Sequence, residues 1–497
     1  MEPSEAIFRC SLEKEVPVTS SAMLIDGQWV SAIGGESEIV RSPFDGQAVG
    51  EVPLARVADA ELAVTSAAAG FQKWSRTPAH ERVAILLRAA ALADARAHEI
   101  ATIISNENGK SFTEALGEAN RSGEIIRLAA YEGSQLYGET LPLDANRGTG
   151  FDKIGFTLRQ PVGIVVAISP FNYPALLVLH KVAPALAAGN AVVLKPARAT
   201  PLTAIALAQC FVDAGLPEGV LNVITGPGGE IGDALVRDKR VRKVSFTGST
   251  AVGEHIAKTA GIKKLSLELG ASGPVVVLAD ADIEAAAHAI SLGGYINAGQ
   301  VCISAQRIIV DETIVGDFIA ALKPKVEALK AGNPFAEGVN IGSLINTAEA
   351  ERVERSIQAA VAEGAELVTG GERDGAFVQP AIVANVDPYS PFAQDELFGP
   401  AVSISTAKGV AHAIELANST VYGLGAGVFT NNIANSIRAM REIESGVVHI
   451  NWTQLWRADL MPYGGFKSSG IGKEGLRSAV SEMTEVKTVI MHGTPWA

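Results

Sequence analysis

From residue 162 onward the chain repeats one pattern, a short, near-continuous apolar run that reads as a strand, followed by a stretch with helical spacing. The runs lie at 162–168, 191–195, 221–224, 243–246 and 264–268. Strands that are apolar on both faces belong in a sheet covered on both sides, and strand–helix alternation assembles such a sheet from βαβ units. The fold class is therefore α/β with buried parallel strands. A second series runs from Pro274-Val275-Val276-Val277-Leu278 to Gly446-Val447-Val448-His449-Ile450-Asn451. A hinge between two sheets is expected at Gly270-Ala271-Ser272-Gly273. At 497 residues the chain exceeds what one hydrophobic core usually supports, so a two-unit division also fits its length.

The spacing predicts a polar arm over 1–22, then a first unit from 23–138 and 160–269, rich in helices between 59 and 137. The second unit is expected over 270–483. The alternating segment at 156–159 and the terminal run at 487–491 fit neither sheet. They are expected to form an appendage from 139–159 and 484–497. Its exposed strand edges call for a partner, which predicts a homodimer or homotetramer; light scattering would separate either from a monomer.

The net charge of −13 argues against nucleic acid or an anionic membrane as a partner, since both would repel the chain. Cys10, Cys210 and Cys302 lack metal-ligand spacing and are odd in number, so neither a metal site nor a disulfide framework is expected. Unpaired thiols fit a reducing compartment. With no apolar leader behind the acidic N-terminus and no run of 18 apolar residues, a cytoplasmic location is expected.

Chemistry concentrates at Gly299-Gln300-Val301-Cys302, between a small-residue helical stretch and the strand-like Arg307-Ile308-Ile309-Val310. Gly299 permits close approach of backbone, and a cysteine at such a junction can face a cleft. Two glycine-bearing strand–turn–helix segments compete as phosphate neighbours: Gly226-Pro227-Gly228-Gly229-Glu230-Ile231-Gly232, and Phe246-Thr247-Gly248-Ser249. Glycines alone do not rank them.

Seven pieces, in order, resemble the NAD(P)-dependent aldehyde dehydrogenase superfamily. They are Ser169-Pro170-Phe171-Asn172-Tyr173-Pro174; Ala188-Gly189-Asn190 with Val193-Leu194-Lys195-Pro196; Phe246-Thr247-Gly248-Ser249; and Leu267-Glu268-Leu269-Gly270. The cysteine segment, Glu396-Leu397-Phe398-Gly399-Pro400, and Pro462-Tyr463-Gly464-Gly465-Phe466-Lys467 with Ser469-Gly470 complete the set. The resemblance spans about residues 24–491 and implies two Rossmann-like parallel-sheet domains, cofactor-binding first and catalytic second, plus a small β oligomerisation element.

It also implies roles. Cys302 would be the nucleophile, Asn172 the oxyanion donor with the Cys302 N–H, Glu268 the base that activates water, and Lys181 an aid to proton relay. Lys195 would meet the adenosine ribose, Glu396 the nicotinamide ribose, and Phe398 the nicotinamide region. Ser169, Pro170 and Phe171 would line the cofactor cleft, with Phe246, Thr247, Gly248 and Ser249 near the pyrophosphate and Gly228 near the adenine. Lys195-Pro196-Ala197-Arg198 departs from the family, whose NAD-preferring members carry glutamate where Arg198 stands. An arginine there binds a 2′-phosphate rather than repelling it, so NADP is expected alongside NAD.

The loop at 451–461, with Arg457 and with Arg121, resembles that of the lactaldehyde, sulfolactaldehyde and phosphonoacetaldehyde dehydrogenase branch, which implies a small polar or anionic aldehyde. Arg121 and Arg457 would clamp its anionic end, unless Arg457 is spent on nearby Asp459. Leu177, His180, Val301, Trp452 and Trp456 would line the funnel. Ser304 stands where succinic semialdehyde enzymes often carry a second cysteine, which disfavours that substrate without removing it. The presence of Glu268 argues against a coenzyme-A-acylating relative, and the intact triad of Cys302, Glu268 and Asn172 against a silent one.

Overall fold

The computed structural model describes residues 21–493, so most of the arm expected over 1–22, and the end of the 484–497 segment, lie outside the described residues. The strands Leu221–Val223, Ala191–Lys195, Ile164–Ile168, Val241–Thr247 and Lys264–Glu268 stand side by side in that order, all parallel. Counted along the chain the order is third, second, first, fourth, fifth. The winding therefore reverses between Ile164–Ile168 and Val241–Thr247. Ligands of open α/β sheets bind in the crevice outside the strand ends at such a reversal. Short strands at Met23–Ile25 and Gln28–Val30 extend one edge.

The second sheet holds Ala381–Ala384, Ala401–Ala407, Arg307–Asp311, Pro274–Val277, Gly425–Phe429 and Val447–Ile450, all parallel, with Glu366–Thr369 antiparallel at one edge. Val275, Val276, Val277, Ile308, Ile309 and Val310 are buried on both faces, as a sheet covered by helices on both sides requires. The helix Leu176–Ala187 is buried along its whole length, including His180 and Lys181. A helix with no solvent face lies between other layers, and this one carries two titratable groups into the interior.

The final stretch of the expected second unit, around 470–483, packs on the first. Gly470–Ile471 pairs antiparallel with Lys264–Glu268, and Leu476–Glu482 contacts Ser122–Ser134 and Leu176–Ala187. Leu476, Val480 and Met483 complete the core on that side of the first sheet. The appendage is a three-stranded sheet in which Thr484–His492 pairs residue for residue with Lys153–Pro161 and leaves its outer edge open. Val486, Ile490 and Met491 on that edge strand are exposed. Among the described residues no helix is long and apolar enough to cross a membrane, and no cluster of three or more His, Cys, Asp or Glu could hold a metal ion.

Candidate active site

Cys302 follows a strained turn. Asn297 and Ala298 adopt φ of 51° and 53°, and Gly299 one of 71°. Each L-residue in the left-handed region costs roughly 1–2 kcal/mol, so other contacts must hold the turn. The Asn297 N–H donates to Glu114 at 3.0 Å and its Nδ2 to the Asn172 carbonyl at 3.0 Å. Gln300 donates from Nε2 to the Asn297 carbonyl and accepts the Ile345 N–H at 2.9 Å. A Cβ on Gly299 would lie 2.0 Å from the Gly399 carbonyl oxygen, so the close approach read from the sequence is backbone against backbone.

Asn172 comes from the other unit, on the turn after Ile164–Ile168. Its carbonyl also accepts from Lys110 Nζ at 2.8 Å, and Asn108 Nδ2 donates to the Phe171 carbonyl at 2.9 Å. Lys110 is ion-paired with Glu118 at 2.6 Å, both side chains fully buried. The second Glu118 oxygen takes the Ala175 and Leu176 N–H groups at the start of the buried helix. A buried ion pair is tolerable when its remaining donors and acceptors are satisfied; here they fix the turn that carries Asn172. Sequence reasoning missed this clamp, because charges at helical spacing read as a solvated face. Asn172 Nδ2 gives one hydrogen to the Gln300 carbonyl at 2.8 Å, which leaves its second for another acceptor.

Cys302 and Asn172 open onto a cavity of about 1150 Å³ at the winding reversal of the first sheet. Every residue that the family resemblance assigns to the cofactor lines it, except Arg198. The cavity holds unsatisfied polar groups. Ser169 Oγ is buried without a partner among the described residues, and Lys195 Nζ reaches only the Pro196 carbonyl. Burial, with the Arg198 charge, pushes the Lys195 ammonium down to about 8. Glu396 takes the Ala271 N–H at 3.0 Å on one oxygen, and burial pushes its carboxyl up to about 7. Phe171 and Phe398 meet edge to face at 5.9 Å, Phe398 itself at a φ of 51°. An elongated cavity with aromatic walls, hydroxyl-seeking side chains and a helix start after Ser249 fits a dinucleotide. Asn346, Glu349 and Arg352 also line it and were not read from the sequence; they lie in a segment without a motif. Arg198 is instead exposed and held by Glu38 at 2.7 Å.

Glu268 ends its strand beside Cys302 but faces a small void with Lys181, His180, Lys473 and Glu474 rather than the large cavity. Neither carboxylate oxygen has a hydrogen-bond partner among the described residues. Burial, reinforced by the Glu474 charge, holds its carboxyl well above the ordinary range. Glu474 behaves oppositely: against its burial, Lys181 and Arg457 push it down to about 2. Lys181 donates to Glu474 at 3.1 Å and to Thr247 Oγ1 at 2.6 Å.

The two arginines read as a clamp are both paired, though not as sequence proximity implied. Arg457 binds Glu474 at 3.2 Å, while Asp459 binds Arg121 at 2.6 Å and His180 at 3.3 Å. Burial and then Arg457 push the His180 imidazole down, so it bridges as a neutral ring. Leu177 is buried on the same helix, and Val301 packs with Tyr463 beside Cys302. Trp452 and Trp456 are exposed, and the loop residues that pack near Cys302 are Leu455 and Met461. Tyr463, quoted in a motif without a role, has its hydroxyl 3.3 Å from Cys302 Sγ.

The aldehyde dehydrogenase family matches residues 29–489. A 3-sulfolactaldehyde dehydrogenase from Priestia aryabhattai is 43% identical over 475 residues, covering 96% of this chain and 98% of that protein. A lactaldehyde dehydrogenase from Methanocaldococcus jannaschii is 39% identical, covering 94% and 100%. The crystal structure of an NADP-dependent glyceraldehyde-3-phosphate dehydrogenase from Bacillus halodurans, complexed with NADP, superposes with a TM-score of 0.94 at 35% identity, covering 96% and 100%.

Proposed function

The chain belongs to the aldehyde dehydrogenase family, and on that premise we propose that it oxidises a small polar or anionic aldehyde to the carboxylic acid with NAD or NADP. The observation that carries this reading is the meeting of Cys302 and Asn172, from opposite units, at one cavity. Cys302 Sγ adds to the aldehyde carbon, forming a C–S bond and moving the carbonyl π electrons onto oxygen. The second Nδ2 hydrogen of Asn172 and the Cys302 N–H hold that oxyanion, each such donor being worth about 3 kcal/mol. A dinucleotide held along Lys195, Ser249 and Glu396 would supply the hydride acceptor, and loss of hydride from the adduct carbon would leave a thioester on Cys302. Glu268 takes a proton from water, the oxygen adds to the thioester carbon, the C–S bond breaks, and the acid leaves. Lys181, held by the ionised Glu474 beside Glu268, is the group through which that proton returns to solvent.

The substrate class rests on Arg121. Its side chain is 43% exposed and spends one nitrogen on Asp459, which leaves other donors for an anionic group. A charge-assisted hydrogen bond contributes about 1.5–3 kcal/mol, or roughly ten- to a hundredfold. Arg121→Ala is therefore expected to lower kcat/KM at least tenfold for sulfonated or carboxylated aldehydes and less than twofold for neutral ones. Equal losses on both classes in a steady-state panel, or no loss on either, would refute the anion reading.

Arg198 can leave Glu38 at little cost, since an exposed ion pair contributes about 0–1 kcal/mol. A 2′-phosphate offers it a doubly charged partner in exchange. Arg198→Ala is expected to raise KM for NADP about tenfold and leave KM for NAD within twofold, and Glu38→Gln to lower KM for NADP. A wild-type preference for NAD above a hundredfold would rule this out.

A further inference from the structure

Tyr463 has no part in the sequence of steps above, yet it makes the one side-chain hydrogen bond to Cys302 Sγ found among the described residues, at 3.3 Å. Both its backbone and its ring are held. The Tyr463 and Glu474 backbones form an isolated antiparallel bridge, with N–H to carbonyl distances of 2.9 and 2.6 Å. That bridge sets the phenol and the Glu474 carboxylate side by side. Arg457 lies against both, its guanidinium carbon 4.0 Å from the Tyr463 ring centroid and its Nη1 3.2 Å from Glu474. The guanidinium is mostly buried, its Nε has no partner among the described residues, and its Nη2 lies 3.5 Å from His180 Nδ1, so its charge faces the ring, the carboxylate and the imidazole rather than water.

We propose that Tyr463 is a catalytic residue: its hydroxyl donates a hydrogen bond to the Cys302 thiolate, and Arg457, stacked on the ring and anchored by Glu474, holds and polarises that donor. This goes beyond the proposed reaction and rests on Cys302 being its nucleophile. A cation over the ring face draws density from the phenol and makes its O–H a stronger donor. Burial holds the phenol well above its ordinary range, so the proton stays on oxygen and the thiolate is the acceptor. The need is plain in the site itself, because burial pushes the Cys302 thiol up to about 12, with the Tyr463 hydrogen bond acting in the other direction. No proton changes hands, and the hydrogen bond weakens as the C–S bond forms and sulfur loses its charge.

The expected size follows from two opposing effects. Removing a hydrogen bond to a charged group raises the thiol by about one to two pKa units. Each unit cuts the thiolate population tenfold but raises its intrinsic nucleophilicity about threefold. The net loss is about three- to tenfold in reaction rate near neutral pH. The test is the rate of iodoacetamide alkylation of Cys302, followed by peptide mass spectrometry across pH, with Cys210 as the internal reference. Tyr463→Phe is expected to slow alkylation three- to tenfold and to reduce the thiolate absorbance at a given pH. Replacement of Tyr463 by 3-fluorotyrosine, whose phenol is a stronger donor, is expected to speed it. A packing role alone moves both variants in the same direction and leaves the absorbance unchanged, and that result would overturn the proposal. Cys302→Ala that still oxidises aldehydes would instead remove the reading it rests on, without altering either alkylation result on the Tyr463 variants.

Discussion

Cys302→Ala is expected to reduce aldehyde oxidation by about 10⁴-fold or more while leaving dinucleotide affinity within about twofold. The first half follows from the absence of a substitute. Among the residues lining the large cavity, the hydroxyls of Ser169, Thr247 and Ser249 belong to its dinucleotide half, and no second thiol lies there. Without sulfur, no carbon–sulfur adduct forms, and hydride must leave an aldehyde hydrate that nothing in the site is built to hold. The second half follows from how the loop is fixed. Asn297 and Gln300 carry the hydrogen bonds that maintain the left-handed turn, and Cys302 contributes to none of them. Truncating its side chain therefore leaves the turn and the cavity wall in place. Rapid mixing of the variant with aldehyde and NADP should show no burst of reduced cofactor, while titration of NADP by protein fluorescence should match the wild type. A variant that retains a burst would remove Cys302 from the chemistry. Loss of both activity and affinity would show that the thiol also holds the loop.

What could be read in the residues, and what could not, divides by distance along the chain. The parallel sheets were legible because each strand announces itself within a few neighbouring residues, as in Val275-Val276-Val277 and Ile308-Ile309-Val310. The meeting of Cys302 with Asn172 was legible only through the family motifs, since nothing local relates two turns on different sheets. The pairing of Arg198 with Glu38 was not legible at all. Nor was the swap by which Arg457 takes Glu474 and leaves Asp459 to Arg121 and His180. Proximity in sequence favoured Arg457 with Asp459, but the backbone bridge between Tyr463 and Glu474 folds a more distant carboxylate against the arginine. The Lys110–Glu118 pair shows the same limit in another form: a charge pattern that reads as surface is buried because the Asn172 turn and a helix start supply its partners.

Glu268→Gln is expected to separate the two halves of the reaction. Acylation requires Cys302, the oxyanion donors and the dinucleotide, so the first turnover should still deliver about one equivalent of reduced cofactor per site. Hydrolysis of the thioester requires a base, and steady-state turnover should fall about 10²- to 10⁴-fold. The pH dependence carries the sign. Burial first, and the Glu474 charge second, disfavour the Glu268 carboxylate, so its pKa lies well above the usual value and the basic form grows as pH rises. Glu474 does not compete for that proton, because Lys181 and Arg457 keep it ionised. Of two neighbouring buried carboxylates, then, one is a fixed charge and the other a titrating base. Wild-type turnover should rise with pH through the raised Glu268 pKa, and the glutamine variant should lose that rise while keeping its burst. The structure adds a geometric condition to this outcome. Glu268 faces the void with Lys181 and Glu474 rather than the large cavity, and neither of its oxygens has a hydrogen-bond partner among the described residues, so its turn toward the thioester breaks no side-chain hydrogen bond. Lys181→Met, which removes one of the charges that favour the ionised Glu268, should move the pH rise upward without abolishing it. Steady turnover by Glu268→Gln at the wild-type rate would assign the base elsewhere, and an unchanged pH profile in Lys181→Met would detach Lys181 from the proton path.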